Sequence, residues 1–96
     1  VDFIKKNIRE NLTLEQLAPQ ACMSKAHFVR TFKQELGQTP VEFILSERLK
    51  LARYYLQIGG FQVKEVAVMS GFNSIGYFIR AFKQEYGATP KSFQKQ

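Results

Sequence analysis

The chain contains two copies of one sequence pattern. Its segments FKQELGQTPVEF (residues 32–43) and FKQEYGATPKSF (residues 82–93) are identical at eight of twelve positions, at an offset of 50. Further upstream the offset is 49, which pairs Leu17 with Val66, so the second copy has one extra residue between its two predicted helices. Two copies are too few for a solenoid, in which each repeat needs neighbours on both sides. The repeat therefore predicts a duplicated functional unit.

Each copy has the pattern of a helix, a turn and a second helix. In the first copy Thr13 and Gln16 have the spacing of a capping box, Ser24 can cap the second helix, and Gly37 can end it. The longest predicted helix follows at about residues 40–58 and ends at a pair of glycines. No segment alternates with the period of a strand. The predicted fold is all-α, with seven helices forming two helix-turn-helix modules joined by a long central helix.

The repeat also predicts how the chain is divided. We expect residues 1–96 to form a single domain, in which residues 1–38 are the first helix-turn-helix module and begin with a helix at residues 2–11. Residues 39–60 are then the linker helix, and residues 61–96 are the second helix-turn-helix module. Because the chain opens with Val1 rather than Met, directly in a helical pattern, we expect it to be a piece of a longer protein.

Charge and residue types argue against several classes of function. Fourteen Lys and Arg residues against eight acidic residues give a net charge of +6, and such a surface attracts polyanions. One cysteine, Cys22, and one histidine, His27, are too few for a metal cluster. The sequence has no catalytic triad, paired carboxylates or phosphate loop, and no apolar run near the roughly 18 residues that span a bilayer. We therefore predict no enzymatic activity, no cofactor, no metal and no membrane partner.

The second helix of each copy has an aromatic face and a basic face. The residues expected in the core by their four-residue spacing are Phe28, Phe32 and Leu36, then Phe78, Phe82 and Tyr86. The residues expected to point outward are Ala26, Arg30 and Lys33, then Gly76, Arg80 and Lys83, with Val29 and Ile79 on the flanks. An α-helix fits the major groove, where Arg can bond guanine and Lys can neutralise phosphates. Two such helices at matched positions predict a surface for double-stranded DNA.

The length of the central helix suits two adjacent grooves. About 19 residues span roughly 28 Å. With the radii of the helices at each end added, the two recognition helices can lie about 34 Å apart, one turn of B-DNA. We therefore predict sequence-specific binding of adjacent major grooves by one chain. The apolar residues of the helix are expected to form a core shared by both modules (Phe43, Ile44, Leu51, Leu56, Ile58). Its basic residues are expected to be solvated or ion-paired (Arg48, Lys50, Arg53).

The segment EVAVMSGFNSIGYFIRAFKQEYGATPKSF (residues 65–93) resembles the DNA-binding domain of the AraC/XylS family of bacterial transcription regulators. The matching positions are Ala67, Gly71-Phe72, Tyr77-Phe78, Arg80, Phe82-Lys83, Gly87 and Pro90, and in the first copy Met23-Ser24, His27, Arg30, Phe32-Lys33, Gly37 and Phe43. The resemblance covers nearly the whole chain. It implies a cytoplasmic, monomeric DNA reader that usually follows a sensing or dimerising domain. It also implies RNA polymerase as a partner and activation of transcription.

The resemblance also implies which residues contact bases. In the first module they are Ala26, Val29 and Arg30, and in the second Ile75, Gly76, Ile79 and Arg80. Further candidates near the helix starts are Lys25, His27, Asn73, Ser74 and Tyr77, and Lys33 and Lys83 complete the set. Because most of the base-contact positions lack hydrogen-bonding groups, we predict that direct readout centres on Arg30 and Arg80, supplemented by thymine contacts and DNA deformability. The polar Lys25 and His27 predict better discrimination by the first module.

Two residues depart from the family pattern, and two exposed apolar residues leave an alternative function open. Pro19 lies within a predicted helix and is expected to kink it or limit it to two turns. Cys22 stands where the family often has glycine, and we expect a buried, inert thiol there.

A protein-interaction module is the alternative function. Ile75 and Ile79 could form the docking patch of such a helical module. Strongly salt-dependent DNA binding would distinguish the two functions.

Overall fold

Seven α-helices form the secondary structure of residues 1–94, the part of the chain that the computed structural model describes. In chain order they are α1 (Asp2–Lys6), α2 (Leu14–Gln20), α3 (Lys25–Leu36), α4 (Pro40–Ile58), α5 (Val63–Met69), α6 (Ile75–Tyr86) and α7 (Pro90–Phe93). No β-strand occurs within these residues, so the all-α prediction is confirmed. None of the helices in the described range combines the length and the apolar character that a membrane crossing requires.

Local capping explains where the helices begin. The Thr13 hydroxyl accepts a hydrogen bond from the backbone N–H of Gln16, whose side chain accepts from the Thr13 N–H in return. Thr39 and Glu42 make the same reciprocal pair at the start of α4. The hydrogen bond from the Thr39 backbone N–H, with a second from its hydroxyl, lowers the pKa of the Glu42 carboxyl below its usual value. The predicted Thr13–Gln16 capping box is therefore present, and Thr39 and Glu42 form a second one.

The two helix-turn-helix modules differ in the length of the turn. Residues 21–24 separate α2 from α3, whereas residues 70–74 separate α5 from α6, which accounts for the change of offset in the repeat. Cys22 and Gly71 occupy equivalent turn positions, with φ values of +57° and +94°. The prediction that Cys22 is buried is wrong, because its side chain is exposed. Cys22 has a left-handed backbone conformation in a turn at the protein surface, and its side chain points to solvent.

Two separate hydrophobic clusters hold the modules. The first cluster consists of Ile4, Leu17, Phe32 and Ile44. The second cluster is larger and consists of Leu49, Ala52, Leu56, Val66, Ala67, Phe72, Phe78, Ala81 and Phe82. Helix α4 therefore supplies its N-terminal half to one cluster and its C-terminal half to the other. It packs against α3 at one end and against α5 and α7 at the other.

This partition corrects several predictions about the core. The central helix does not provide one shared core, and its Ile58 is 50% exposed. Leu36, at the last turn of α3, is 43% exposed rather than buried. Leu49 and Ala52 are buried in the second cluster but were not predicted to be core residues. The discrepancies lie where a helix ends or where its buried face changes from one cluster to the other.

One basic residue of α4 differs from prediction, and the other two agree with it. Arg53 is exposed, as predicted for a solvated residue, and its guanidinium lies over the aromatic rings of Tyr86 and Phe93, at 5.1 and 5.9 Å from their centroids. Arg48 is half-buried and donates hydrogen bonds to two backbone carbonyls. Lys50 is exposed, with its Nζ 4.0 Å from Glu47, as predicted for a solvated residue.

The opening helix is shorter than the predicted residues 2–11. Helix α1 ends at Lys6, and the Asn7 side chain donates to the carbonyl of Phe3 at 2.8 Å. The chain then runs without regular helix to α2, and its residues Ile8 and Leu12 pack against the first cluster. Helix α2 has seven residues with Pro19 near its end, so it is limited to two turns, as predicted.

Candidate nucleic-acid interface

Helix α3 carries the predicted contact residues of the first module. The Ser24 hydroxyl caps the helix by accepting a hydrogen bond from the His27 backbone N–H at 3.2 Å. Phe28 and Phe32 form the inner side, with ring centroids 5.6 Å apart. The outer side leaves Lys25, Ala26, His27, Arg30 and Lys33 exposed, with Val29 half-buried on the flank. Five of the six candidates are therefore accessible to a partner along α3, and Val29 is partly accessible.

Helix α6 repeats this arrangement in the second module. The Ser74 hydroxyl accepts from the Tyr77 backbone N–H at 3.1 Å, and Phe78 and Phe82 have no exposed surface. The exposed candidates are Asn73, Ser74, Ile75, Gly76, Tyr77, Arg80 and Lys83. Ile79 is half-buried and packs against the second cluster, so only part of its side chain is available to a partner.

The two helices present the same basic pair at matched positions. Arg30 and Lys33 on α3 correspond to Arg80 and Lys83 on α6, and all four side chains are exposed. Within residues 1–94 none of the four takes part in an ion pair. Their cationic groups are therefore available to an anionic partner.

Comparisons with known proteins identify the family. A family model described as a helix-turn-helix domain matches residues 17–96. The chain belongs to the AraC/XylS helix-turn-helix family. Over 72 residues it is 32% identical to the HTH-type transcriptional regulator ArgR of Pseudomonas aeruginosa, and over 79 residues 33% identical to the XylDLEGF operon transcriptional activator 2 of Pseudomonas putida. These matches cover 75% and 79% of this chain, but only 22% and 50% of the two relatives.

The solved structure of a DNA-binding domain has the same fold. The DNA-binding domain of AdpA, described as a global transcriptional factor in complex with a target DNA, superposes with a TM-score of 0.91. The sequence identity is 27%, and the match covers 96% of this chain and 83% of that one. The tandem helix-turn-helix arrangement predicted from the repeat is therefore that of an AraC/XylS domain.

Sequence reasoning missed two polar residues beside the basic pairs of this AraC/XylS domain. Gln34 and Gln84 are exposed, and each lies one helical turn beyond Arg30 or Arg80. The repeat itself carried the signal, because FKQE occurs in both copies. Amide side chains can bond adenine edges or phosphates, so both residues extend the candidate interface toward the C-terminal ends of α3 and α6.

Lys25 is held by a neighbouring carboxylate. Its Nζ lies 3.0 Å from Glu15 Oε1, and both side chains are more than half exposed. The hydrogen bond from Lys25 lowers the pKa of the Glu15 carboxyl, which favours its ionised form. Helix α2 thus places an anion beside a predicted DNA contact, and a phosphate has to compete with Glu15 for the ammonium group.

Replacing Glu15 by glutamine is expected to strengthen DNA binding. Exposed ion pairs are worth about 0.2–1 kcal/mol, so releasing Lys25 should raise the affinity by up to roughly fivefold at low salt. Glu35→Gln is the matched control, because it makes the same charge change on α3 at an exposed carboxylate outside the ion pairs of residues 1–94. Fluorescence anisotropy with a labelled duplex measures both. Equal gains would mean that net charge alone is responsible.

Gly76 lies in the first turn of α6 with ordinary helical geometry. A Cβ built on it would lie 3.6 Å from the Arg80 guanidinium and 3.9 Å from the Ser74 hydroxyl, which are ordinary contact distances. Glycine in a helix costs up to about 1 kcal/mol relative to alanine. Gly37, by contrast, ends α3 at φ +75°, where a side chain is disfavoured.

Gly76→Ala is therefore expected to stabilise the domain by up to about 1 kcal/mol, and Gly37→Ala to destabilise it by about 1–2 kcal/mol. Urea unfolding followed by far-UV circular dichroism gives both free energies. Both substitutions add the same methyl group, so the test is whether their changes in the free energy of unfolding have opposite signs. A loss of stability in Gly76→Ala would show that the first turn of α6 has no room for a side chain.

Proposed function

We propose that this AraC/XylS domain binds double-stranded DNA sequence-specifically, with α3 in one major groove and α6 in the adjacent one. The proposal is carried by one observation: two capped helices, anchored by buried aromatics, present Arg and Lys at equivalent exposed positions. A guanidinium can bond guanine O6 and N7 together, and an ammonium can neutralise a phosphate. The DNA complex of the AdpA domain supports the same class of partner.

The dimensions of the domain support reading by one chain. Its principal extents are 46 × 22 × 20 Å, so its long axis exceeds the roughly 34 Å that separate adjacent major grooves on one face of B-DNA. The 19-residue helix α4 runs between the two modules. We therefore propose that this domain binds as a monomer. The proposed units are residues 1–38, 39–60 and 61–96.

The wider role of the protein follows from its relatives and is part of the proposal. The Pseudomonas relatives are described as a transcriptional regulator and as a transcriptional activator, and we propose that this chain regulates transcription in a bacterial cytoplasm, as an activator that contacts RNA polymerase. We propose no catalytic activity for the domain. The chain spans half or less of the length of these two relatives.

Selection from a random duplex library at about 150 mM salt tests the DNA proposal directly. The expected result is two short enriched blocks whose centres lie about one helical turn apart. Inserting about 5 base pairs between the blocks turns one of them to the opposite face of the DNA. Binding should then fall to the level of a duplex that contains a single block.

Two outcomes would contradict the proposal in different ways. One enriched block, with no effect of the insertion, would mean that only one helix reads bases. No enrichment, with binding lost as salt rises, would reduce the domain to a nonspecific polyanion binder. That second outcome would favour the protein-interaction alternative, since Ile75 and Tyr77 are 44% and 46% exposed.

A further inference from the structure

Arg48 joins two parts of the chain that are distant in sequence. It lies on α4, and its guanidinium donates to the carbonyl of Ile8 at 2.9 Å through Nε and to the carbonyl of Glu10 at 2.7 Å through a terminal nitrogen. Both acceptors belong to the irregular segment that follows α1. The side chain is half-buried, and burial lowers the pKa of the Arg48 guanidinium. These are charge-assisted hydrogen bonds, which are stronger than bonds between neutral groups.

The same segment touches the turn of the second module. Gly71 is buried, with φ +94°, and a Cβ built on it would lie 2.6 Å from the Ile8 carbonyl oxygen and 2.9 Å from Arg48 Nε. The Arg9 Cα would be 3.2 Å away. Only a residue without a side chain allows this approach. We call this contact between Ile8–Glu10, Arg48 and Gly71 the joint.

The joint lies between the two hydrophobic clusters. Ile44, one turn before Arg48, belongs to the first cluster, and Leu49, the next residue, belongs to the second. Ile8 packs against the first cluster, whereas Gly71 is part of the second helix-turn-helix turn. Arg9 adds a further link, since it hydrogen-bonds the Tyr55 hydroxyl and lies 5.7 Å from the centre of that ring. The joint therefore ties the first module to the second outside either core.

We propose that Arg48 is a positioning residue for two-groove DNA binding: the joint fixes the distance and rotation between α3 and α6. This inference rests on the proposed function. Reading two grooves at once requires the second helix to arrive in place when the first has bound, which is a matter of preorganisation and effective concentration. Helix α4 by itself would connect the modules only along its own axis. The joint adds a second, lateral connection, which opposes rotation of one module relative to the other about that axis.

The first test measures the geometry without DNA. Spin labels on the native exposed Cys22, in the first module, and on a cysteine introduced by Val68→Cys, at a position 68% exposed on α5, report the distance between modules. Arg48→Ala is expected to broaden the distance distribution by pulsed electron resonance. Lys50→Ala, an exposed residue of the same helix, is the matched control and should leave the distribution narrow. An unchanged distribution in Arg48→Ala would overturn the proposal.

The second test measures binding to the selected two-block duplex and to a series in which the spacing is lengthened or shortened. The wild-type domain should bind best at one spacing. Arg48→Ala should bind a single-block duplex within about twofold of wild type, yet bind the two-block duplex about tenfold more weakly and with a flat dependence on spacing. A sharp wild-type optimum that Arg48→Ala retains would overturn the role of the joint.

Two further variants keep the result interpretable. Arg48→Lys retains the charge but replaces two separate donor nitrogens in a rigid plane by a single ammonium on a flexible chain, so it should give an intermediate distance distribution. Gly71→Ala places a Cβ against the Ile8 carbonyl and Arg48 and so disrupts the joint from the second module. It should broaden the distance distribution while the circular dichroism spectrum remains helical. If the wild-type domain shows no spacing optimum, the two-groove function fails, and the spin-label distances still decide whether Arg48 fixes the modules.

Discussion

Replacing Phe82 by alanine is expected to lower the free energy of unfolding by about 3–5 kcal/mol. Phe82 has no exposed surface. Its ring centroid lies 5.8, 4.7 and 5.2 Å from those of Phe78, Tyr86 and Phe93. The change therefore removes apolar burial and leaves a cavity bounded by rigid rings, which close poorly around a void. Against a total stability of roughly 5–15 kcal/mol, the loss is large.

The equivalent change in the first module should be smaller. Phe32 matches Phe82 in the repeat but is 8% exposed and belongs to the smaller cluster. It also lines a surface groove bordered by Phe3 and Leu36, so the space left by Phe32→Ala opens partly to water. We expect a loss at the low end of the range of about 3–5 kcal/mol for Phe→Ala changes.

Urea unfolding monitored by circular dichroism compares the two variants. Val68→Ala is the control, because Val68 is 68% exposed and surface changes stay within about 0.5 kcal/mol. Equal losses at Phe32 and Phe82 would mean that the repeat makes the modules energetically equivalent, contrary to the difference between the two clusters. A larger loss at Phe82 would show that this site is packed more completely than the equivalent site at Phe32.

Much of the fold could be predicted from the repeat because the signals involved are local. The capping pair Thr13–Gln16 and the glycine that ends α3 act within one helical turn, and the structure has both. Helix α4 has the predicted bounds, residues 40–58, for the same reason. Sequence spacing is sufficient where the interacting groups are three or four residues apart.

Other features could not be predicted because they depend on distant parts of the chain. The carbonyls of Ile8 and Glu10 accept hydrogen bonds from Arg48, which lies about forty positions later in the chain. A search for helical periodicity does not reveal such a contact. Periodicity along α4 predicts a buried face, but it does not say that this face divides between two clusters near Arg48. The exposure of Ile58 follows from its place in the last turn of the helix.

The candidate interface shows the same division. The outward positions of Arg30 and Arg80 follow from a 3.6-residue period with the aromatics inside, and both are exposed as expected. The ion pair of Lys25 depends on how α2 packs against α3, and sequence alone did not suggest it. Which of the exposed residues touch bases stays a prediction.

Removing either arginine should reduce both affinity and selectivity, and only at its own block. A bidentate contact between arginine and guanine is worth about 1–3 kcal/mol of discrimination, so Arg30→Ala and Arg80→Ala should each weaken binding to the selected duplex by roughly 5- to 150-fold. The preference for guanine should disappear in one block and persist in the other. Repeating the library selection with each variant measures the effect position by position.

Lys33→Ala and Lys83→Ala are the matched controls, since each lies on the same helix face three residues beyond the arginine. A lysine that contacts phosphate should weaken binding uniformly across sequences and reduce the slope of log affinity against log salt by about one. If the arginine variants behave in this way too, both arginines bind phosphate and the domain reads DNA through shape. A block-specific loss at Arg30 and a uniform loss at Arg80 would mean that α3 reads bases while α6 holds the backbone. That pattern agrees with the polar Lys25 and His27 at the start of α3 and the apolar Ile75 and Ile79 on α6.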